Sequence, residues 1–262
     1  MTTASPKSTT AMSPSPEPRS RAQKLGLWGL LAHWDEFQEA PWLQTFLLYE
    51  EEERRRRSLE RRLASAKIGQ FKPLADFDWS WPQAIDREQV EDLFGFEFLQ
   101  ERANVIFIGT NGLGKTMLAQ NLAYQAILKG YTARFSNASA LLSELGAQES
   151  GSALSRALRR CFEPELLVID EVGYLSATSK HADLLFEVIT RRYQQKSTVL
   201  STNKAFREWN QVFPNAGCIV GLIDRLIHKA EIVEIQGESY RLKEAKEREA
   251  LRAKARKTRR KR

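Results

Sequence analysis

From residue 104 onward, short apolar runs alternate with segments whose apolar residues recur every three or four positions. Residues 105–108, 131–136, 166–170 and 197–201 have the length and apolar content of buried strands. Helical spacing is found in residues 117–128, 139–145, 153–162, 182–192 and 222–228, and residues 231–235 and 239–242 predict two short β pieces. This alternation predicts an α/β domain with a central parallel sheet flanked by helices.

The first hundred residues have a different pattern, which predicts separate regions. Residues 1–23 are rich in Ser, Thr and Pro and predict a disordered tail. Residues 24–72 predict a small helical N-terminal domain, with one helix near residues 25–37 and a second that Pro41 opens and that runs to residue 67. Residues 73–103 predict a connector and a short helix over residues 86–94, capped by Asp86. The α/β domain then covers residues 104–243, and residues 244–262 form a basic C-terminal tail.

Two basic segments could bind a polyanion. In the second N-terminal helix, Glu50 and Glu53 each precede an arginine by four residues, which favours an exposed helix with internal salt bridges. The alternative is that Arg54–Arg57, Arg61, Arg62 and Lys67 face DNA phosphates. Residues 243–262 hold eleven Lys and Arg and three Glu, and this tail is either a frayed helix or a disordered arm. The net charge of +7 leaves both polyanion-binding alternatives open.

Composition excludes several other classes of protein. The two cysteines and three histidines are scattered and form no metal-binding or redox spacing. No apolar run approaches the ~18 residues of a membrane span, and the N-terminus lacks the pattern of a secretory signal. We therefore expect a cytoplasmic protein without a membrane partner.

A phosphate-binding motif lies directly after the first predicted strand and before a predicted helix. The motif G-x-x-x-x-G-K-[ST] covers Gly109, Thr110, Asn111, Gly112, Leu113, Gly114, Lys115 and Thr116. Its glycines allow backbone N–H groups to surround phosphates, and the helix N-terminus adds partial positive charge. Lys115 can reach the β- and γ-phosphates, and the Thr116 hydroxyl can bind Mg²⁺. The motif predicts ATP and Mg²⁺ as cofactors.

Two later strands supply the groups that hydrolysis requires. The run at residues 166–170 ends in Asp170, which can hold Mg²⁺, and Glu171 follows, placed to polarise the attacking water. The strand at residues 197–201 leads to Asn203, which could orient that water. Arg225 and Arg241 are candidates for neutralising charge on the γ-phosphate. If Arg225 comes from a neighbouring subunit, the site is complete only in an oligomer.

The motifs together resemble those of the IstB family, ATP-binding helper proteins of insertion-sequence transposition that are similar to DnaC-type helicase loaders in the AAA+ superfamily. The resemblance is carried by the phosphate-binding motif and by the segments Leu-Leu-Val-Ile-Asp-Glu-Val-Gly-Tyr-Leu, Thr-Arg-Arg-Tyr, Ser-Thr-Asn, Ile-Asp-Arg-Leu and Gly-Glu-Ser-Tyr-Arg-Leu-Lys, which begin at residues 166, 190, 201, 223 and 237. The sequence departs from the family pattern at residues 110–113, where many relatives carry Pro-Pro-Gly-Thr.

This resemblance implies an AAA+ P-loop NTPase domain behind a small helical domain. It also implies that Arg225 is an arginine finger and Arg241 a second sensor, and that the protein assembles on DNA with ATP and engages a transposase. Arg191 and Arg192 also match a family motif. The resemblance implies that they contact either a neighbouring subunit or DNA.

The expected function is that of a Mg²⁺-dependent, DNA-stimulated ATPase that oligomerises on target DNA and assists a cognate transposase. Its DNA contacts should be largely non-specific, and its ATP sites should lie at interfaces of the homo-oligomer. A helicase loader for replication is the nearest alternative. A small-molecule kinase and a scaffold that binds ATP only structurally are more distant ones, and Glu171 argues against the scaffold.

Overall fold

A computed structural model describes residues 17–174, 178–213 and 217–260. Residues 1–16 of the predicted disordered tail, Leu175 of the acidic-strand motif and the last two residues of the basic tail lie outside the described residues. The chain forms two compact units that divide between Glu60 and Arg61. This division falls before the boundary at residue 72 that the sequence pattern predicts.

The N-terminal unit is helical, as predicted, but its helices differ in extent. The helices are α1 (Pro18–Lys24), α2 (Trp28–Ala32), α3 (Trp34–Phe37) and α4 (Leu43–Ala66), which continues into the second unit. The prediction of disorder is wrong for residues 18–23, because Ala22 and Leu25 pack with Leu43 and Leu47 in a small apolar core. The single helix predicted near residues 25–37 is two helices, α2 and α3, separated at His33.

Three arginines of α4 pair with glutamates of the same helix. Arg56 and Arg57 both contact Glu53, at 2.7 and 2.6 Å, and Arg56 also reaches Glu60 at 2.6 Å. Arg54 lies 3.6 Å from Glu50. These contacts favour the exposed, internally salt-bridged helix over a cationic face that is free to bind phosphates.

The second unit contains the predicted parallel sheet. Its five strands have the order β2-β3-β4-β1-β5, and every pairing is parallel. The strands are β1 (Asn104–Gly109), β2 (Ala133–Asn137), β3 (Leu166–Asp170), β4 (Ser197–Thr202) and β5 (Ala230–Ile235). Because all five are parallel, their carboxyl ends meet at one edge of the sheet, where ligands bind in open α/β folds.

Helices cover both faces of this sheet. The described α-helices of the second unit after α4 are α5 (Arg87–Leu93), α6 (Glu97–Gln100), α7 (Lys115–Leu128), α8 (Ala138–Gly146), α9 (Gly151–Phe162), α10 (Ser179–Arg192), α11 (Trp209–Val212), α12 (Ile219–Ile227) and α13 (Tyr240–Arg260). Asp86 caps α5 as predicted, since its carboxylate accepts a hydrogen bond from Gln89 N at 3.0 Å.

The main core lies between the sheet and one layer of helices. Ile106 and Leu200 join residues of α8, α9, α10 and α12 in a single apolar cluster. Their neighbours Val105, Phe107 and Val199 are also fully buried and, by the alternation of a strand, point to the opposite face. Burial on both faces explains why these strands appear in the sequence as continuous apolar runs.

The predicted β piece at residues 239–242 is wrong, because helix α13 begins there. The Ser239 hydroxyl accepts a hydrogen bond from Leu242 N at 3.4 Å, and the Ser239 carbonyl accepts one from Lys243 N at 3.2 Å. The basic tail therefore follows the frayed-helix alternative and is helical to Arg260. No described helix is both long and apolar enough to cross a membrane.

Arg192 is a buried structural residue. Its side chain is 2% exposed. The guanidinium donates to the carbonyls of Cys161, Pro164 and Glu165 at 2.8, 2.9 and 3.1 Å, to the Ser197 carbonyl, and to Thr198 Oγ1 at 3.1 Å. Burial lowers the pKa of Arg192 to about 9, so the group is still charged at neutral pH. The Arg192 side chain thus joins the turn before β3 to the start of β4.

Candidate nucleotide-binding site

A pocket of about 330 Å³ opens at the carboxyl edge of the sheet, beside the loop between β1 and α7. Most of the phosphate-binding motif lines it, together with two residues that follow strands β3 and β4 and three from the first turns of α13. The lining residues from the predicted set are Asn111, Gly112, Leu113, Gly114, Lys115, Thr116, Glu171, Asn203 and Arg241. The structure therefore brings together side chains that are far apart in the sequence.

Lys115 lies over the loop that precedes it. Its Nζ donates to the carbonyls of Gly109 and Thr110 at 2.6 and 2.7 Å. Burial lowers the pKa of Lys115 from its ordinary value, and the nearby carboxylates of Asp170 and Glu171 act in the opposite direction. A phosphate group brought into this loop would supply the counter-charge that a buried lysine needs.

Thr116 and Asp170 form a pair of oxygen ligands. Thr116 Oγ1 donates to Asp170 Oδ2 at 2.9 Å. The other Asp170 oxygen accepts a hydrogen bond from the hydroxyl of Ser201, which in turn accepts one from Glu171 N at 2.9 Å. A hydroxyl beside a fixed carboxylate fits Mg²⁺, which takes one or two protein oxygens and completes its shell with water and phosphate. The residues present therefore fit a magnesium ion between the phosphate-binding loop and β3.

Glu171 is held in an unusual backbone conformation. Its φ angle is 61°, in the left-handed region that non-glycine residues rarely adopt. Its Oε2 accepts a hydrogen bond from Asn137 Nδ2 at 2.8 Å. Strained residues of this kind cost about 1–3 kcal/mol and concentrate at functional sites.

Asn137 is a site residue that the sequence reasoning missed. It ends β2, pairs in register with Asp170, and caps α8 by accepting a hydrogen bond from Ser139 N at 2.9 Å. Because its Oδ1 is used by the helix, its Nδ2 is directed to Glu171. The sequence did contain an indication, since an asparagine between a strand and a helix at this edge of the sheet is positioned to contact the acidic strand.

Asn203 follows β4 and lines the pocket. Its side chain packs against Gly173, where any added Cβ would collide with Asn203 Oδ1. Within the described part of the chain, this buried oxygen has no hydrogen-bond partner. An unsatisfied acceptor in a pocket is available to a water or a ligand.

The other wall of the pocket comes from the connector, whose contribution the sequence reasoning also missed. Phe77 and Trp81 line it from this side. Gly114 has a φ of 91°, and a Cβ there would lie 2.5 Å from Phe77 Cε2, so the loop approaches this ring as only glycine can. Aromatic rings beside a phosphate-binding loop provide a surface for a nucleotide base.

The first turn of α13 closes the pocket. Tyr240 N donates to Gly112 O at 2.9 Å, and the Tyr240 ring lies edge-on to Trp81 with centroids 6.1 Å apart. Lys243 bonds Asp78 at 3.1 Å and lies 4.4 Å from the centroid of the Trp81 ring. The connector and the C-terminal helix are thereby joined to each other and to the phosphate-binding loop.

The two candidate arginines have different positions. Arg241 lines the pocket from α13. Arg225 is not among the described residues that line it. On α12, its Nη1 donates to Gly221 O at 3.0 Å, and its guanidinium stacks on Phe186 at 4.9 Å from the ring centroid. Within one chain, Arg225 therefore does not join the other candidate residues.

Comparisons with known proteins agree with this geometry. A family model described as IstB-like ATP binding protein matches residues 31–248. The chain is 33% identical over 192 residues to a protein of Geobacillus stearothermophilus named for ATP binding in insertion sequence IS5376, covering 73% of this chain and 76% of the relative. It is 36% identical over 191 residues to the corresponding protein of IS21 from Pseudomonas aeruginosa, covering 73% and 72%.

Two solved structures share the fold. A crystal structure of DnaI superposes with a TM-score of 0.54 at 16% identity, over 65% of this chain and 93% of that chain. The replication initiator DnaA, bound to AMPPCP and single-stranded DNA, superposes with a TM-score of 0.51 at 17% identity, over 62% and 52%. The five-stranded parallel sheet, the site at its carboxyl edge and the match over residues 31–248 lead to one conclusion: the chain belongs to the family of IstB-like ATP-binding proteins.

Proposed function

We propose that this protein is a Mg²⁺-dependent ATPase that acts on DNA and assists a cognate transposase. The observation that carries the ATPase assignment is the meeting of Lys115, the Thr116–Asp170 pair and Glu171 at one edge of the sheet. A protein that only bound ATP would need no more than Lys115 and the phosphate-binding loop. A second carboxylate, held beside the metal ligand and facing the pocket, supports hydrolysis.

Each of these residues has a separate task in the proposed reaction. Backbone N–H groups of the loop and Lys115 bind the β- and γ-phosphates. Thr116 and Asp170 would hold Mg²⁺, which supplies charge neutralisation on the phosphate oxygens. Glu171 accepts a proton from the attacking water, and Asn203, whose Oδ1 is unpaired among the described residues, orients that water.

Release of inorganic phosphate from ATP, with and without Mg²⁺, tests this chemistry. The variant Glu171→Gln should bind ATP with the affinity of the parent and hydrolyse it at least ~100-fold more slowly, a contribution within the usual range of general-base catalysis. Glu238→Gln, in the turn before α13, is the matched control and should retain activity. Equal loss in both variants, or phosphate transfer to a small-molecule acceptor, would contradict the assignment.

The position of Arg225 supports a shared site. Because it does not line the pocket of its own chain, we propose that it acts as an arginine finger on ATP held by a neighbouring subunit, while Arg241 acts within the chain. Arg225→Ala should bind ATP and lose turnover. Mixing it with Glu171→Gln should restore part of the activity, because a mixed interface can combine one intact Arg225 with one intact Glu171. Activity of Arg225→Ala as a monomer, without restoration on mixing, would overturn this.

Double-stranded DNA and a transposase are the proposed partners. The excess of Lys and Arg supports a polyanion, and the relatives are named as proteins of insertion sequences. DNA contacts through phosphates should be weakly sequence-specific and should weaken steeply with salt. Pull-down with the transposase from the same element, compared with a replicative helicase, separates this proposal from a helicase loader.

A further inference from the structure

Two helices of this protein are rich in Lys and Arg, and their charges are arranged differently. In α4, Arg54, Arg56 and Arg57 each contact a glutamate of the same helix. In α13, the ion pairs lie at the base of the helix, where Lys243 contacts Asp78 and Glu244 contacts Lys72. Beyond that base, the described side chains of Lys246, Arg248 and Arg252 take part in no hydrogen bond or ion pair.

The charge on α13 also increases toward its end. Residues 246–260 hold eight Lys and Arg and two Glu. At ~1.5 Å per residue this charge extends over about 22 Å of helix. A self-neutralised helix such as α4 presents little net field to a phosphate backbone. A cationic helix whose described basic side chains, here Lys246, Arg248 and Arg252, have no partner within the helix can exchange bound counterions for phosphates, which is the main source of affinity for DNA.

The helix has little else with which to bind. Leu251 is the only large apolar residue between residues 246 and 260, and no aromatic residue lies there. Insertion into a lipid surface requires an apolar face with Trp, Phe or Leu, so a membrane is a poor fit. The major groove of B-form DNA is wide enough to admit a single α-helix. A helix in that groove has DNA phosphates on both sides.

The base of the same helix forms part of the nucleotide pocket. Tyr240 and Arg241 line the pocket, and Tyr240 N bonds Gly112 of the phosphate-binding loop. A ligand that fixes the direction of α13 therefore also fixes the position of the pocket wall that α13 forms. By thermodynamic linkage, ATP and that ligand then affect each other's affinity.

We propose that α13, and not α4, is the DNA-binding helix of this protein: its Lys246, Arg248 and Arg252 contact the phosphates of double-stranded DNA. This inference rests on the proposed function, which supplies DNA as the partner. It assigns the contact to one of the two basic segments for which the sequence leaves DNA binding open, and it connects that contact to the nucleotide site.

Charge-matched variants of the full chain test this assignment. Lys246→Gln/Arg248→Gln/Arg252→Gln and Arg54→Gln/Arg56→Gln/Arg57→Gln each remove three positive charges. Binding to a fluorescent 30-base-pair duplex of arbitrary sequence is measured by anisotropy, with a non-hydrolysable ATP analogue, across a series of salt concentrations. Circular dichroism verifies that both variants are folded, and binding of the analogue without DNA verifies the nucleotide site.

The α13 variant should bind DNA at least ~10-fold more weakly, and the slope of log K against log salt should fall by about two to three, at ~0.9 for each DNA phosphate that the helix no longer neutralises. The α4 variant should keep the affinity and slope of the parent. Equal losses in the two variants, or no loss in the α13 variant, would overturn the inference and leave the proposed function intact. Equally tight binding of the parent to duplex RNA, or to vesicles of phosphatidylserine and phosphatidylcholine at a ratio of about 1:2, would also overturn it. A parent that hydrolyses ATP but does not bind the duplex would instead refute the proposed function.

Discussion

Replacing Arg192 by methionine should destabilise the second unit without touching the nucleotide pocket. The guanidinium is 2% exposed and bonds four main-chain carbonyls and one hydroxyl. Methionine fills similar space and donates no hydrogen bond. The substitution therefore leaves buried carbonyls of the turn before β3 and of the start of β4 without their donor.

The expected loss can be worked from these contacts. Each buried acceptor left unsatisfied costs ~1–3 kcal/mol. Carbonyls tolerate under-satisfaction better than N–H groups, and removing a buried charge recovers part of its desolvation cost. Taking ~1 kcal/mol for each of the four carbonyls, we expect the free energy of unfolding to fall by about 4 kcal/mol, a large fraction of the ~5–15 kcal/mol of a typical domain.

Arg191 supplies the matched control, since it neighbours Arg192 and has the same charge. Its side chain is half exposed, pairs with Glu187 at 2.5 Å, and stacks on Phe162 at 4.8 Å from the ring centroid. Exposed ion pairs and cation–π contacts each contribute at most about 1 kcal/mol. Arg191→Met should therefore cost about 1 kcal/mol or less. Arg192→Lys, which keeps the charge but has only three donors, should fall between the two variants.

Urea unfolding followed by circular dichroism measures these differences, with the slope m held constant across the variants. Arg192→Met should also lower the melting temperature by about 8–16 °C, at ~2–4 °C for each kcal/mol. If Arg192→Met loses no more stability than Arg191→Met, the reasoning from the buried carbonyls is wrong.

Three further predictions concern the pocket. Lys115→Met should weaken ATP binding about 100-fold, equivalent to ~3 kcal/mol of charge-assisted hydrogen bonding, as measured with a fluorescent analogue. Asn137→Ala should raise basal turnover up to about 10-fold, because Glu171 Oε2 loses the hydrogen bond that Asn137 Nδ2 donates at 2.8 Å and becomes free to accept a proton from the attacking water; a fall in turnover would contradict this. The pKa of Asp78 is lowered from 3.8, chiefly by the Ser80 hydroxyl and Lys243, and that of Lys243 is raised from 10.5 by Asp78. Their pair should therefore persist at neutral pH, and be lost as pH falls through the lowered value or rises through the raised one, which Trp81 fluorescence can follow.

The sequence is sufficient to predict the strands and the phosphate-binding loop, because both are specified locally. A short, continuous apolar run such as residues 166–170 most often forms a buried strand. A glycine-rich loop before a helix most often forms an anion-binding site. The prediction of a parallel sheet flanked by helices is confirmed for the same reason.

What the sequence could not reveal depends on contacts between distant segments. Asn137 acquires its position only when β2 pairs with β3, and Phe77 acquires its own only when the connector folds against Gly114. The error at residues 239–242 has a local cause: two alternating apolar residues resemble a strand, whereas the Ser239 cap and the helix beyond it decide otherwise. For α4 the four-residue spacing of Glu and Arg indicated its internal ion pairs, whereas the sequence did not show whether the basic tail is a helix.

The assembly of the pocket from Phe77, Gly112 and Tyr240 has a consequence for how the protein is made. A ribosome synthesises the connector first, the phosphate-binding loop next, and Tyr240 only after every strand of the sheet. A nascent chain can thus complete its sheet while one wall of the nucleotide pocket is still missing. Competence to hold ATP should arise late in translation, and ATP should stabilise finished chains over interrupted ones.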